Sequence, residues 1–160
     1  MQKHKKITVY IAGALFTKAE CDFNLQIKKY LEKKCKDYAT FLLPQERCVN
    51  LSDAFDIYSQ CLSDVNSSHV MLAILDGTDV DSGTSFEIGY AFGQCMPILG
   101  LRIDFRQNGD DGGLNCMLSQ SLTYTFFSSA LDKDAKGFEL TLDAISEKIK
   151  EQHKLLFKDE

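Results

Sequence analysis

Hydrophobic positions along this chain switch repeatedly between two spacings. Residues 7–12, ITVYIA, are β-branched and aromatic, which predicts a strand that Gly13 ends. From about Thr17 to Lys34 the spacing lengthens. Phe23, Ile27 and Leu31 recur every four residues with lysines on the other face, a helical pattern. TFLLP predicts a short strand ended by Pro44. Ser52 suits the N-cap of a second helix, in which Phe55, Tyr58, Leu62 and Val65 form an apolar stripe, and NSS ends it. HVMLAIL is apolar throughout, as a strand covered on both faces would be. A third helix follows over 82–93, then a strand at PILGLRI and a loop at RQNGDDGG. LNCMLSQS predicts a short helical turn and LTYTFF a last strand. Phe138, Leu142, Ile145 and Ile149 mark a closing helix.

Strands and helices therefore alternate, which means a parallel sheet of five strands with helices on both faces and right-handed crossovers. The expected fold class is a doubly wound α/β sheet, flavodoxin- or Rossmann-like, in one domain over residues 1–160. Such sheets hold ligands beyond the carboxyl ends of their strands, near the reversal of strand order. Three segments fall there: GALFT, LPQE and LDGTDVDSGTSFE.

Composition narrows the chemistry. A net charge of −5 and a pI near 5.2 argue against a surface that coats nucleic acid. No apolar run reaches the roughly 20 residues that span a membrane, and the N-terminal ITVYIAGALF reads as a strand rather than a signal peptide. A cytoplasmic protein without membrane or nucleic-acid partners is expected. The six cysteines are scattered, without zinc spacing, and are expected to be free thiols. Of the histidines His4, His69 and His153, two are near the ends, so neither a histidine triad nor a metal cage is indicated. G-x-G-x-x-G is absent and no G-K-[ST] follows the glycines, so no nucleotide cofactor is signalled.

The density of acids in DVDSGTSFEIGYA, residues 79–91, is the main candidate chemistry. Glu87 has two readings. Thr84-Ser85-Phe86-Glu87 fits a capping box, with Glu87 folding back on a helix start. Alternatively, a carboxylate near a helix N-terminus stays ionised and serves as a nucleophile. Asp81 is either an N-cap or a second carboxyl that carries a proton, and paired carboxyls are the recurrent solution to glycosyl transfer. Tyr10 reads as a core residue close enough to the strand end to meet a ligand. Gln45 is either solvated or aimed at a heterocycle edge. Cys61 reads as packing, Asn115 as a loop cap and Met117 as a core methionine.

Three blocks together resemble the nucleoside 2-deoxyribosyltransferase family: TVYIAGALFT at 8–17, DSGTSFEIGYA at 81–91 and LNCM at 114–117, in the family's order. The likeness covers roughly residues 7–125. It implies the doubly wound fold and transfer of 2-deoxyribose from one nucleobase to another, without a cofactor or metal. Carried to matching positions, Glu87 is the nucleophile, Asp81 assists at the departing base or holds the sugar, and Tyr10 hydrogen-bonds the catalytic carboxylate. Phe16 walls the base pocket, Gln45 touches the base edge, and Gly83 lies among the substrate contacts. Asn115 and Met117 match residues that reach a neighbouring subunit's site, which implies a homo-oligomer. The partners implied are a 2′-deoxynucleoside and a free nucleobase.

One departure stands out. Many members carry Asp, sometimes Asn, where Cys61 stands in YSQCLSDV, and a thiol donates a proton to a base poorly. Asp81 or Asp64 would take that duty, with Asp76 and Asp79 as further candidates, or the base preference is altered. The tail LLFKDE does not resemble members whose terminal carboxylate contacts the sugar. Two alternatives accompany the transferase reading. A related branch hydrolyses nucleoside 5′-monophosphates through the same carboxylate, but the first loop, GALFTKAE, offers Lys18 as its sole cation for a phosphate. The other is a non-catalytic nucleoside-binding domain. Asp104 and Arg106 in RIDFR are read as a structural ion pair.

Overall fold

A computed structural model of the chain describes residues 5–106, 111–129, 131 and 135–158. Part of the RQNGDDGG loop, His4 and the last two residues of the LLFKDE tail lie outside the described residues. In chain order the elements are β1 (Ile7–Ala12), α1 (Lys18–Lys34), β2 (Ala39–Leu42), α2 (Pro44–Arg47), α3 (Ala54–Asn66) and β3 (Val70–Ile74). They continue with α4 (Ser82–Gly93), β4 (Ile98–Arg102), α5 (Cys116–Ser119), β5 (Tyr124–Phe127) and α6 (Ala135–Leu156).

The five strands are all parallel and lie in the order β2-β1-β3-β4-β5. The chain steps from β1 outward to β2, then returns past β1 to β3. Crossovers leaving the carboxyl ends of β1 and β3 therefore diverge to opposite faces and open a crevice between them. This is the doubly wound α/β arrangement.

Alternation along β1 divides the core into two layers. Val9 and Ile11 pack with Ile27 and Leu31 of α1 and with Leu142, Ile145 and Ile149 of α6. Tyr10 and Ala12 point the other way, toward Val65 of α3, Ile88 of α4 and Leu114. The central strand β3 is buried at every position, which is why its sequence lacks polar alternation. Gly100 on β4 is required by close approach, since a Cβ there would lie 2.7 Å from Leu122 and 2.8 Å from Leu75. No described helix is long and apolar enough to cross a membrane.

Three local expectations need correction. The N-cap of α3 is Asp53, whose carboxylate accepts from the backbone N–H groups of Phe55 and Asp56; Ser52 lies one residue too early. The stripe on α3 is buried only toward its end: Val65 is covered, while Phe55 and Tyr58 are exposed. Pro44 does more than end β2, because it opens the short helix α2, where its missing N–H costs nothing.

Candidate active site

Tyr10 and Glu87 meet at the crevice. Tyr10 is fully buried on β1, with its ring toward the α4 layer. Helix α4 is seated on the sheet by Ile88 and Ala91, and this anchoring turns the preceding Glu87 toward β1. The Tyr10 hydroxyl donates to Glu87 Oε1 at 2.6 Å. Burial pushes the Glu87 carboxyl up, the Tyr10 hydrogen bond pulls it back, and the Asp81 charge pushes it up again, to about 7. Burial and the neighbouring carboxylate hold the Tyr10 hydroxyl protonated well above the ordinary phenol range. Tyr10 is thus a fixed donor, and Glu87 an acceptor that changes charge near neutrality.

The start of α4 is capped by Asp81. Its Oδ2 accepts from the Thr84 N–H at 2.8 Å and the Thr84 hydroxyl at 3.1 Å. Thr84 is therefore inside the helix, and Glu87 does not form the capping box that the sequence permits. A capping box occurs instead at α1, between Thr17 and Glu20. A Cβ at Gly83 would come within 3.2 Å of Asp81 Oδ2, so glycine leaves the carboxylate room.

Phe16 is exposed in the loop between β1 and α1, with its N–H donating to Glu20 at 2.9 Å. Gln45 ties α2 to α1. Its amide donates to the Cys21 carbonyl at 2.8 Å, and its carbonyl accepts from Asn24 at 3.5 Å. Asn115 caps α5 by accepting from the Met117 N–H at 2.9 Å. Met117 is 74% exposed and is not a core methionine. Neither Asn115 nor Met117 is hydrogen-bonded to Glu87 of the same chain.

The remaining acids separate by their partners. Asp64 is buried and accepts from Arg47 Nε at 2.9 Å, Arg47 Nη2 at 3.1 Å and Gln60 at 2.8 Å, an arrangement that locks α2 onto α3. Asp76 accepts from the N–H groups of Ile103 and Asp104 at 2.7 and 3.0 Å, and burial raises its carboxyl. Asp104 pairs with Arg106, which holds it below the usual carboxylate range, so the two residues form an ion pair. Asp79 is exposed.

Cys61 does more than pack. Its thiol neighbours the Tyr10 hydroxyl and lies 4.0 Å from the sulfur of Cys48, and burial pushes it up to about 12. Cys48 carries no signal in the sequence. Asn24 stands three residues before Ile27 on the apolar stripe of α1, a polar residue at a core position. It is 2% exposed and donates to the Ala14 carbonyl at 2.9 Å, fixing the loop after β1.

A cavity of about 650 Å³ opens on the α1 side of the sheet, lined by Phe23, Asn24, Ile74, Asp76, Asp104 and Arg106. Glu87 belongs to the opposite, α4 side. The cavity has the volume, but its acids are engaged in structural bonds, and the group with shifted protonation beside a fixed donor is Glu87. Among the described residues, no three His, Cys, Asp or Glu side chains converge as metal ligands would.

Comparison with known proteins follows the same residues. A search of curated proteins gives no match. Among solved structures, the chain is similar to a conserved protein from Enterococcus faecalis, with 23% identity, a TM-score of 0.71, and coverage of 92% of this chain and 99% of that one. It is similar to a 2-deoxyribosyltransferase from Bacillus psychrosaccharolyticus, with 18% identity, a TM-score of 0.61, and coverage of 74% and 85%. It is also similar to a CMP N-glycosidase from Clostridium botulinum, with 15% identity, a TM-score of 0.59, and coverage of 86% and 98%. At these identities the likeness speaks for the fold. The family model described as nucleoside 2-deoxyribosyltransferase matches residues 9–142, which takes in Tyr10, the Asp81–Glu87 segment and Asn115, and the chain belongs to that family.

Proposed function

We propose that the protein transfers 2-deoxyribose between nucleobases by a retaining double displacement. The observation that carries this reading is the pairing of buried Tyr10 with half-buried Glu87 at the reversal of strand order. Ionised Glu87 attacks the anomeric carbon of a 2′-deoxynucleoside as the C–N bond to the base breaks. The departing base takes a proton, and Asp81 is the acid assigned to supply it. Both hydrogen bonds of the Asp81 carboxylate among the described residues go to Oδ2, which leaves Oδ1 for a substrate. A nitrogen of the incoming base then attacks the glycosyl ester and gives its proton to Asp81 as the bond to Glu87 breaks, so the Glu87 carboxylate and the Asp81 acid are both restored. Two inversions give net retention. Tyr10 holds one carboxylate oxygen still, so the other is presented to the sugar. Because the sugar lacks a 2-hydroxyl, its cation forms readily, and a carboxylate is sufficient.

Phe16, Gly83 and Gln45 are assigned to the substrate pocket. Asn115 and Met117, exposed on α5, are assigned to a neighbouring subunit's site in a homo-oligomer. An aromatic ladder, exposed at Phe55, Tyr58 and Phe86 and half-buried at Tyr90, supports that assignment. Phe55, Tyr58, Phe86 and Tyr90 run across α3 and α4 with ring centroids 6.5, 6.3 and 6.3 Å apart, a face suited to burial against a second copy.

Chromatography after mixing the protein with deoxyinosine, with and without adenine or cytosine, tests the reading. New deoxyadenosine or deoxycytidine only when acceptor is present supports transfer. Hypoxanthine released equally fast without acceptor supports N-glycoside hydrolysis instead, and deoxynucleoside monophosphates would be tried next. The free nucleoside is favoured over the nucleotide because Lys18 is the sole cation that the first loop, GALFTKAE, offers a phosphate.

A further inference from the structure

Cys48, which follows α2, and Cys61, on α3, bring their sulfurs to 4.0 Å, and both are free and partly buried. Among the described residues this is the one thiol–thiol contact the fold makes; Cys35 is buried apart, and Cys95 and Cys116 are exposed. The Cys61 thiol also neighbours the Tyr10 hydroxyl, which donates to Glu87. A run of neighbouring groups therefore leads from Cys48 through Cys61 and Tyr10 to the carboxylate. A disulfide needs sulfurs about 2.05 Å apart. Closing the gap requires the two side chains to turn toward each other, and Cys48 stands at the C-terminal end of the four-residue helix α2.

We propose that Cys48 and Cys61 form a dithiol modification site, which a hydroperoxide closes to a disulfide, and that closure draws Cys61 away from Tyr10 and disturbs Glu87. The chemistry balances with the hydroperoxide as the two-electron oxidant. The Cys48 sulfur takes one peroxide oxygen as the O–O bond breaks, leaving a sulfenic acid and, from hydrogen peroxide, one water. The Cys61 sulfur attacks the Cys48 sulfur, the S–O bond breaks, and the departing hydroxide takes the Cys61 proton as a second water. Burial keeps Cys61 a neutral thiol near pH 7, so it is the slower partner and Cys48 the point of entry.

The effect on rate rests on the proposed role of Glu87; the cross-link does not. The test treats reduced protein with hydrogen peroxide and follows three readouts. The first is intact mass, with peptide mapping after cleavage at Phe55 and Tyr58, which separates the two cysteines. The second is deoxyribosyl transfer. The third is the Glu87 titration by difference infrared spectroscopy, with E87Q as the blank. The expected result is a loss of two hydrogens mapped to Cys48–Cys61 and a moved Glu87 midpoint. With these comes a rate loss on the order of tenfold or more, as small displacements of a reacting group cause, reversed by dithiothreitol. C48S should resist inactivation. A link elsewhere, a C48S protein inactivated as fast as wild type, or a closed link with rate and titration unchanged would each overturn the proposal. If even the reduced protein turns over no substrate, the proposed function fails, and mass and infrared still decide the dithiol site.

Discussion

Tyr10 and Glu87 are 77 residues apart in sequence and 2.6 Å apart in the fold. One comes from the first strand and the other from the helix after the third, and the parallel order β1-β3 joins them. Tyr10→Phe keeps the buried ring and removes the donor that pulls Glu87 down. The pH midpoint of kcat/KM should then rise above about 7, because activity requires the ionised carboxylate. The rate on the alkaline plateau should fall about 10-fold, the equivalent of one hydrogen bond to a charged group. A pH–rate profile with an unmoved midpoint would remove Tyr10 from the site.

Glu87 also links stability to pH. Its carboxyl titrates near 4.5 without the fold and near 7 within it. Between those values the unfolded chain has released the proton and the folded chain still holds it. Stability therefore falls as pH rises across that window and levels off above about 7. E87Q carries no such charge and should be more stable than wild type at pH 8, by at most about 3 kcal/mol, with the gain vanishing at pH 4. Urea unfolding at both pH values checks this; an E87Q protein less stable at pH 8 contradicts it.

Asp81 has a structural duty and a proposed chemical one, and Asn separates them. Asn caps helices as well as Asp, so D81N should retain stability within about 0.5 kcal/mol. Removing the charge should lower the Glu87 midpoint, since Asp81 raises it. If Asp81 also protonates the departing base, the rate should fall about 100-fold with deoxyadenosine, and much less with a nucleoside whose base leaves as a stable anion. Equal losses with both would leave Asp81 holding the sugar without donating a proton, and no loss with either would leave it as a cap alone.

A site shared between subunits predicts complementation. E87A and N115A should each be inactive. Mixed through unfolding and refolding, half of random dimers combine one of each, and one of their two sites has both residues intact. About a quarter of wild-type activity should return. No recovery, with mixed oligomers demonstrated by mass, would place Asn115 outside its neighbour's site.

Much of the fold could be read from the sequence because local spacing and global topology agree. The uniform apolar run of β3 and the four-residue spacing of α1 admit few alternatives. The capping motif at Thr84 misled, because it ignores Asp81, which is three residues earlier and reaches the same N–H. The stripe on α3 misled in another way, since Phe55 and Tyr58 are apolar without being core. Spacing reports which face is apolar and not what covers it. Cys48 could not be found at all, because its contact with Cys61 depends on how α2 packs against α3, which the Asp64–Arg47 pair sets.

The central claim is that Glu87 carries the sugar. Intact-protein mass spectrometry after rapid acid quench of enzyme with deoxyinosine and no acceptor base tests it directly. The account predicts a protein heavier by one anhydro-deoxyribosyl unit, mapped to the peptide containing Glu87, absent in E87Q and discharged when adenine is added. Turnover by the wild type with no adduct at any quench time, or an adduct that survives in E87Q, would contradict it.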